Sequence, residues 1–276
     1  MKSNILIIGK KSFIGSNLYH SLKNKYLIKN YNFKYVLKKS EIELKKFDYI
    51  INCTSNNGYI NSRYVHYNDF DLIIAKKLLK TNVKLIFLST RKVYKPKFNT
   101  KENSLLEPQC NYSRNKLITE LKLKKIMGKR LTILRISNLI GLPISRSNKK
   151  LHYTFIDYFF DNIKKGIIYK NNKIYKDFLS IDKFCEIIDQ IIKNKLSGTF
   201  NVSLGKKIYL DKVISWLNFY NKNPFYYKTI DQKYNKDCFT LNNDKLTRNT
   251  MLKNRIIDLR DYCKNISKKF FKKKNK

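Results

Sequence analysis

The chain opens on an unbroken apolar run, Asn4-Ile5-Leu6-Ile7-Ile8, that stops at Gly9. Such a run lacks the alternation of a half-buried strand and predicts a parallel strand covered on both faces. A helical pattern follows through Leu22. Residues 26–31 predict a second strand, and residues 47–55 a third that runs into small polar residues. Leu72, Ile73, Ala75, Lys76 and Leu79 recur at helical spacing across 69–80, ahead of a strand over 83–88. A helix over 112–125, strands over 131–136 and 199–203, and a helix over 182–194 continue the alternation. On that last helix Phe184, Ile187, Ile188, Ile191 and Ile192 share one face, with Asp182 as the expected N-cap. Alternating strands and helices of this kind predict an α/β fold around a parallel sheet. Residues 139–175 and 205–276 have weaker periodicity and many tyrosines, as expected of a lobe built from excursions off the sheet. Within it, residues 210–217, which include the single Trp216, read as a helix, and a last helix is predicted over 255–266.

At 276 residues, 42 % of them hydrophobic, the chain can bury one large core with an appended lobe. The net charge of +39 changes that picture less than its size implies. Lysines are spread along the whole chain and arginine, the preferred base-reading cation, is the minority, so no specific nucleic-acid partner is expected. Attraction to phosphorylated substrates fits the charge equally well. Cys53, Cys110, Cys185, Cys238 and Cys263 are odd in number and form no CxxC, and His20, His66 and His152 are scattered among them. Neither a disulfide framework nor a metal site is expected. With no signal-peptide pattern and no long apolar run, a cytoplasmic protein is expected. The tail, residues 267–276, mixes lysines with Phe270 and Phe271. It reads as solvated and disordered, the alternative being weak peripheral contact with an anionic membrane.

Candidate chemistry begins at Gly9-Lys10-Lys11-Ser12-Phe13-Ile14-Gly15, between the first strand and the first helix. A strand, a glycine turn and a helix start leave backbone N–H groups pointing at one place, a site for a pyrophosphate. Gly9 permits the sharp turn and Gly15 close helix–sheet packing. Ser12 stands where a middle glycine is usual, and is small enough to allow approach. Cofactor contacts are expected from Gly9, Ser12, Phe13, Ile14 and Gly15, and from Asn52, Cys53 and Thr54 at the third strand tip. An acidic residue near the end of the second strand would bind the ribose 2′-hydroxyl of NAD. None occurs in Ile28-Lys29-Asn30-Tyr31-Asn32-Phe33-Lys34, and Lys29 or Lys34 would meet a 2′-phosphate, so NADP is favoured over NAD.

The fourth strand delivers Ser89-Thr90-Arg91-Lys92-Val93-Tyr94. A hydroxyl at the carboxyl end of a central strand is placed to hydrogen-bond a reacting carbonyl or carbinol oxygen. Further on, Tyr112-Ser113-Arg114-Asn115-Lys116 puts a tyrosine and a lysine one turn apart on a helix face. A phenol with an ordinary pKa of about 10 is inert near neutrality unless its phenolate is stabilised. A cation one turn away supplies that stabilisation, and a positively charged nicotinamide adds to it.

Taken together, these segments resemble the extended short-chain dehydrogenases/reductases, in particular the NAD(P)-dependent epimerase/dehydratase group acting on nucleotide sugars. Gly9 to Gly15 resembles the GxxGxxG loop, and Asp48-Tyr49-Ile50-Ile51-Asn52-Cys53 a third-strand motif of the family. Leu88 to Tyr94 resembles S-[ST]-x-x-VY, and Tyr112 and Lys116 match YxxxK. Leu134-Arg135-Ile136-Ser137-Asn138-Leu139-Ile140-Gly141 is similar to LR-x-x-N-x-x-G, Asp177 to Asp182 to the RDFIHVDD segment, and Gly198 to Val202 to G-x-YNV. The resemblance implies a Rossmann-type doubly wound parallel sheet over 1–138, completed by 176–204. A small, mostly C-terminal substrate-binding lobe would take 139–175 and 205–276. It implies Thr90, Tyr112 and Lys116 as catalytic residues, with Ser89, Tyr112 and Lys116 at the cofactor. Thr90, Arg91 and Asn138 would face the substrate, while Arg135 would be a ligand contact or a support for its strand.

In the reductive direction Tyr112 would protonate the alkoxide formed at a sugar carbon, with Thr90 bonded to the same oxygen. Dehydratases of this family carry an Asp-Glu pair directly after the catalytic threonine; Arg91-Lys92 stands there instead, which argues against dehydration. Reduction of a keto-sugar nucleotide is favoured, because no acidic or histidine partner for a second proton transfer is visible. The alternatives are C4 epimerisation with tightly bound NAD, and a non-catalytic nucleotide-sensing or nucleic-acid-binding relative. A homodimer is a further expectation.

Overall fold

The computed structural model describes residues 2–144, 154–170, 173–222, 226–229 and 237–272. The first elements are β1 (Asn4–Ile8), α1 (Phe13–Leu22), β2 (Leu27–Tyr31), α2 (Phe33–Leu37), α3 (Glu41–Leu44), β3 (Tyr49–Asn52) and α4 (Asn57–Asn61). Next come α5 (Phe70–Lys77), β4 (Lys84–Thr90), α6 (Asn111–Met127), β5 (Leu131–Ile136), β6 (Asn138–Ile140), α7 (Phe155–Lys164) and β7 (Ile167–Lys170). The chain continues through β8 (Tyr175–Lys176), β9 (Phe178–Ser180), α8 (Ile181–Lys193), β10 (Gly198–Val202) and β11 (Ile208–Tyr209). It closes with α9 (Leu210–Asn218), β12 (Tyr226–Thr229), α10 (Asp244–Thr250) and α11 (Ile256–Lys272).

β10, β5, β4, β3, β1 and β2 lie side by side in that order as one sheet, every neighbouring pair parallel. The inner strands β1, β3, β4 and β5 are apolar on both sides because both sides are covered. Ile5 and Ile7 pack with Leu18, Phe184, Ile188 and Ile191 of α1 and α8. Leu6 and Ile8 point the other way, to Val36, Ile74 and Leu123 of α2, α5 and α6. The winding direction changes between β1 and β3, so their carboxyl ends open the crevice where ligands bind in open α/β sheets. Ile8 pairs with Asn52, and Thr90 with Ile136, which brings the predicted loop and strand tips to one edge.

A second core forms beyond that edge, where Ile140, Phe159, Phe160, Phe178, Val213, Leu259 and Cys263 cluster. Asp177 bolts it to the sheet: fully buried, its carboxylate accepts the backbone N–H of Leu204 at 3.0 Å and of Leu241 at 3.1 Å. Leu246 of α10 packs in the core of the sheet, although it lies in the predicted C-terminal lobe.

Two local expectations are corrected. The N-cap of α8 is Ser180, which accepts the Lys183 N–H at 3.2 Å, and Asp182 sits in the first turn. The last helix runs on to Lys272, so residues 267–272 are not a solvated tail. Leu259, Cys263, Ile266 and Phe270 continue one apolar stripe, which keeps the helix docked. Ser267 is fully buried and accepts the Tyr220 N–H at 3.0 Å, Phe270 stacks on Phe160 at 3.8 Å between centroids, and Phe271 is buried. Among the described residues no helix is long and apolar enough to cross a membrane, and no cluster is arranged to hold a metal ion.

Candidate active site

A cavity of about 1720 Å³ runs from the glycine loop along the carboxyl edge of the sheet to α7 and the end of α11. Gly9, Ser12, Phe13 and Ile14, with Asn52, Cys53 and Thr54, line one end. Gly9 has φ +122°, a conformation strained for any other residue, and a Cβ there would lie 2.8 Å from Ser12 Oγ. Gly15 lies behind the wall: a Cβ on it would lie 2.4 Å from the Gly9 carbonyl oxygen, so the helix seats against the loop only with glycine. Ser12 does more than leave room. It caps α1, its Oγ accepting the Gly15 N–H at 3.0 Å and donating to the Gly9 carbonyl at 2.9 Å. Among the described residues no protein acceptor takes the Phe13 and Ile14 N–H groups. These two donors at a helix start suit a diphosphate.

Thr90, Tyr112, Lys116, Ser89 and Asn138 line the same cavity. Helix α6 is pinned along the face next to this one. Asn115 Nδ2 donates to the Tyr59 and Ser62 carbonyls at 2.8 and 2.9 Å, and Thr119 Oγ1 donates to Asp69 at 2.6 Å. That anchoring fixes the face carrying Tyr112 and Lys116. The Lys116 ammonium lies 3.9 Å from Asp71 Oδ2 and 4.5 Å from the Phe87 ring centroid. Ser89 Oγ donates to Glu120 at 2.5 Å, while Asn138 Nδ2 donates to the Asp177 carbonyl at 3.3 Å.

Arg91, expected at the substrate, and Arg135, expected as a ligand contact or a strand support, are not on the cavity wall, and their chemistry explains why. Arg91 is 5 % exposed; it donates to Asp237 Oδ1 at 2.6 Å and its guanidinium lies 3.7 Å over the Phe239 ring, a carboxylate and an aromatic face that let the charge be buried. Its neighbour Lys92 faces the cavity instead. Arg135 is spent inside the protein: it clasps Glu120 at 2.6 Å and donates to the Tyr94 hydroxyl at 2.7 Å, which itself donates to Asn201 at 3.0 Å. At the glycine-loop end Lys11 and Asn32 line the wall, and Lys29 and Lys34 do not.

Sequence reasoning missed several wall residues. Asp157 and Asp161 reach the cavity from α7, two acidic groups that the sequence reading had not placed there. Asp157 caps its own helix through Thr154, at 2.9 Å to the N–H. Ser137 lines the wall with a buried hydroxyl that has no hydrogen-bond partner among the described residues. The signal for α7 was in the sequence, where Ile156, Phe159, Phe160 and Ile163 recur at i, i+3, i+4 and i+7 behind a Thr154–Asp157 capping box.

A doubly wound sheet thus carries a phosphate-type loop, with a tyrosine, a lysine and a threonine on the wall of the same crevice. The chain belongs to the NAD dependent epimerase/dehydratase family, whose sequence profile matches residues 5–203. No curated protein matches it significantly. Among solved structures it is similar to the UDP-N-acetylglucosamine 4-epimerase from Methanobrevibacter ruminantium M1 in complex with UDP-N-acetylmuramic acid. That match has a TM-score of 0.82 at 19 % identity, over 99 % of this chain and 100 % of the other. It is also similar to the UDP-glucose 4-epimerase of Thermotoga maritima with UDP-glucose, with a TM-score of 0.72 at 18 % identity, covering 99 % and 100 %. A third is TunA, an NAD dependent NDP-hexosamine 5,6-dehydratase, with a TM-score of 0.78 at 17 % identity, covering 99 % and 98 %.

The residues present fit a dinucleotide. Two helix-start donors, a loop a Cβ would fill and a cavity larger than the ~300–1,000 Å³ of a single small-molecule site leave room for the cofactor and a second ligand. Gly15→Ala is therefore expected to weaken dinucleotide binding at least tenfold by calorimetry, because α1 must back away from Gly9; unchanged affinity would place the diphosphate elsewhere.

Proposed function

We propose that this protein is an NAD(P)-dependent nucleotide-sugar oxidoreductase that reduces a keto-sugar nucleotide. The observation that carries this is the convergence of Thr90, Tyr112 and Lys116 with the Phe13 and Ile14 donors on one cavity. Residues 1–138 and 176–204 would hold the cofactor, and 139–175 and 205–276 the sugar nucleotide. When bound, the nicotinamide supplies the hydride exchanged with the sugar carbon. Tyr112 donates its hydroxyl proton to the oxygen on that carbon, and Thr90 Oγ1 hydrogen-bonds the same oxygen. Lys116 stabilises the phenolate left behind and holds the nicotinamide ribose. Asn138 contacts the sugar nucleotide. The finer preference for NADP is supported by Lys11 and Asn32 at the glycine-loop end of the cleft, where no carboxylate stands among the described residues.

C4 epimerisation is the second reading, supported by 4-epimerases among the similar structures. One assay separates the two. Purified protein is given a 4-keto-sugar nucleotide with NADPH or NADH, and separately UDP-glucose or UDP-N-acetylglucosamine with no cofactor. A reductase consumes reduced cofactor, NADPH faster than NADH, and leaves the UDP-sugars alone. Conversion of a UDP-sugar without added cofactor would establish the epimerase instead.

A further inference from the structure

Lys116 reaches the cavity wall with its side chain only 5 % exposed. Its surroundings are two ring faces, Phe87 at 4.5 Å and Tyr59 at 5.5 Å, and one carboxylate, Asp71, at 3.9 Å. Asp71 sits in the first turn of α5, buried, and its Oδ1 has no hydrogen-bond partner among the described residues. A buried carboxylate with an orphan oxygen costs more than an apolar side chain of the same size. Nor does the helix need it as a cap. Asp69 does that work, accepting the Leu72 N–H at 3.0 Å, and also ties down Tyr64 and Thr119 at 2.8 and 2.6 Å. In the sequence Asp71 shares a helix face with Ile74, Ala75 and Leu78, an acid on a buried apolar stripe.

Resting on the roles given above to Tyr112 and Lys116, we propose that Asp71 is a positioning residue. It is the counter-ion of Lys116, and its ionisation sets how much of the lysine's charge is left to stabilise the Tyr112 phenolate. The groups facing its carboxyl are Lys116 from α6, Asp69 from its own helix end, Asn52 at the end of β3 with Cys53 just after it, and Tyr59 from α4. Lys116 is the one cation among these. Burial pushes the Asp71 carboxyl up to about 7, against the pull of Lys116 and with a further push from Asp69. Ionised, it offsets the ammonium; protonated, it leaves that charge to the phenol. The exchange between the two states thus falls in the neutral range, where the chemistry would run.

The test uses the full chain as wild type, Asp71→Asn, Tyr112→Phe and Lys116→Met, with Asp71→Ser standing in should the asparagine variant fold poorly. In the oxidative direction, where the phenolate is the base, the pH midpoint of turnover is expected to fall by about one unit in Asp71→Asn. The second readout needs neither cofactor nor activity. A carboxyl whose folded pKa lies above its unfolded value favours folding when protonated and loses that contribution as pH rises between the two values. The melting-temperature advantage of Asp71→Asn over wild type should therefore grow from about pH 4 to pH 7 and level off above. In the Lys116→Met background, where the carboxyl has lost its counter-ion, that growth should be larger. An unmoved midpoint, a melting difference independent of pH, or one indifferent to Lys116 would overturn the proposal. Normal turnover by Tyr112→Phe would instead sink the assigned reaction, leaving the melting curves to judge the Asp71–Lys116 pair.

Discussion

Tyr112→Phe is expected to lower turnover by about 10²–10⁴-fold while the protein stays folded. The substitution removes one oxygen from a half-buried side chain on a helix held by other residues. Asn115, Thr119 and the Ser113 hydroxyl, which donates to the Cys110 carbonyl at 2.9 Å, all anchor α6 without the phenol. The loss should therefore fall on kcat, with little change in cofactor affinity or in the urea midpoint. Thr90 and the bound cofactor would still polarise the reacting oxygen, which sets the floor of the residual rate. Steady-state kinetics beside circular dichroism make the measurement, and near-wild-type kcat would remove Tyr112 from proton transfer.

The largest stability effect should come from Arg135→Ala. Arg135 and Glu120 are 2 % and 0 % exposed, and their pairing at 2.6 Å lies inside a wider net with Ser89, Tyr94 and Asn201. Truncating the arginine strands an ionised carboxylate in the interior, a loss of about 3–5 kcal/mol in urea denaturation. Adding Glu120→Gln should recover part of it, since a neutral amide is cheaper to bury than an unpaired charge. A loss under about 1 kcal/mol would show that water reaches the pair. The net also explains why this arginine does not meet a ligand: Ser89 and Tyr94 flank Thr90 in sequence, so it stiffens the strand tip that presents the threonine.

Most of the sheet could be read before any coordinates. Strands buried on both faces are written as continuous apolar runs, and Leu131–Ile136 was placed to the residue. The glycine loop, Thr90, Tyr112 and Lys116 were legible too, because each sits where local geometry dictates its direction: a turn, a strand end, a helix face. Arg91 and Arg135 were not. A long side chain swings through several ångströms, and whether it ends on a ligand or a carboxylate depends on Asp237 and Glu120, which are 146 and 15 residues away. The tail misled for a related reason. Its lysines advertise solvent, while the stripe through Cys263, Ile266 and Phe270 shows its purpose only against Phe160.

The sequence alone determined the α/β alternation, the loop chemistry and the tyrosine–lysine spacing, since each depends on neighbours within a few residues and on the periods of helix and strand. Only the tertiary structure decided which charges are spent inside the protein and which face the cavity. It also set the acidic residues of α7 on the wall and Asp71 behind Lys116. Burial and pairing of charge are properties of groups that meet in space, and no local period encodes those meetings.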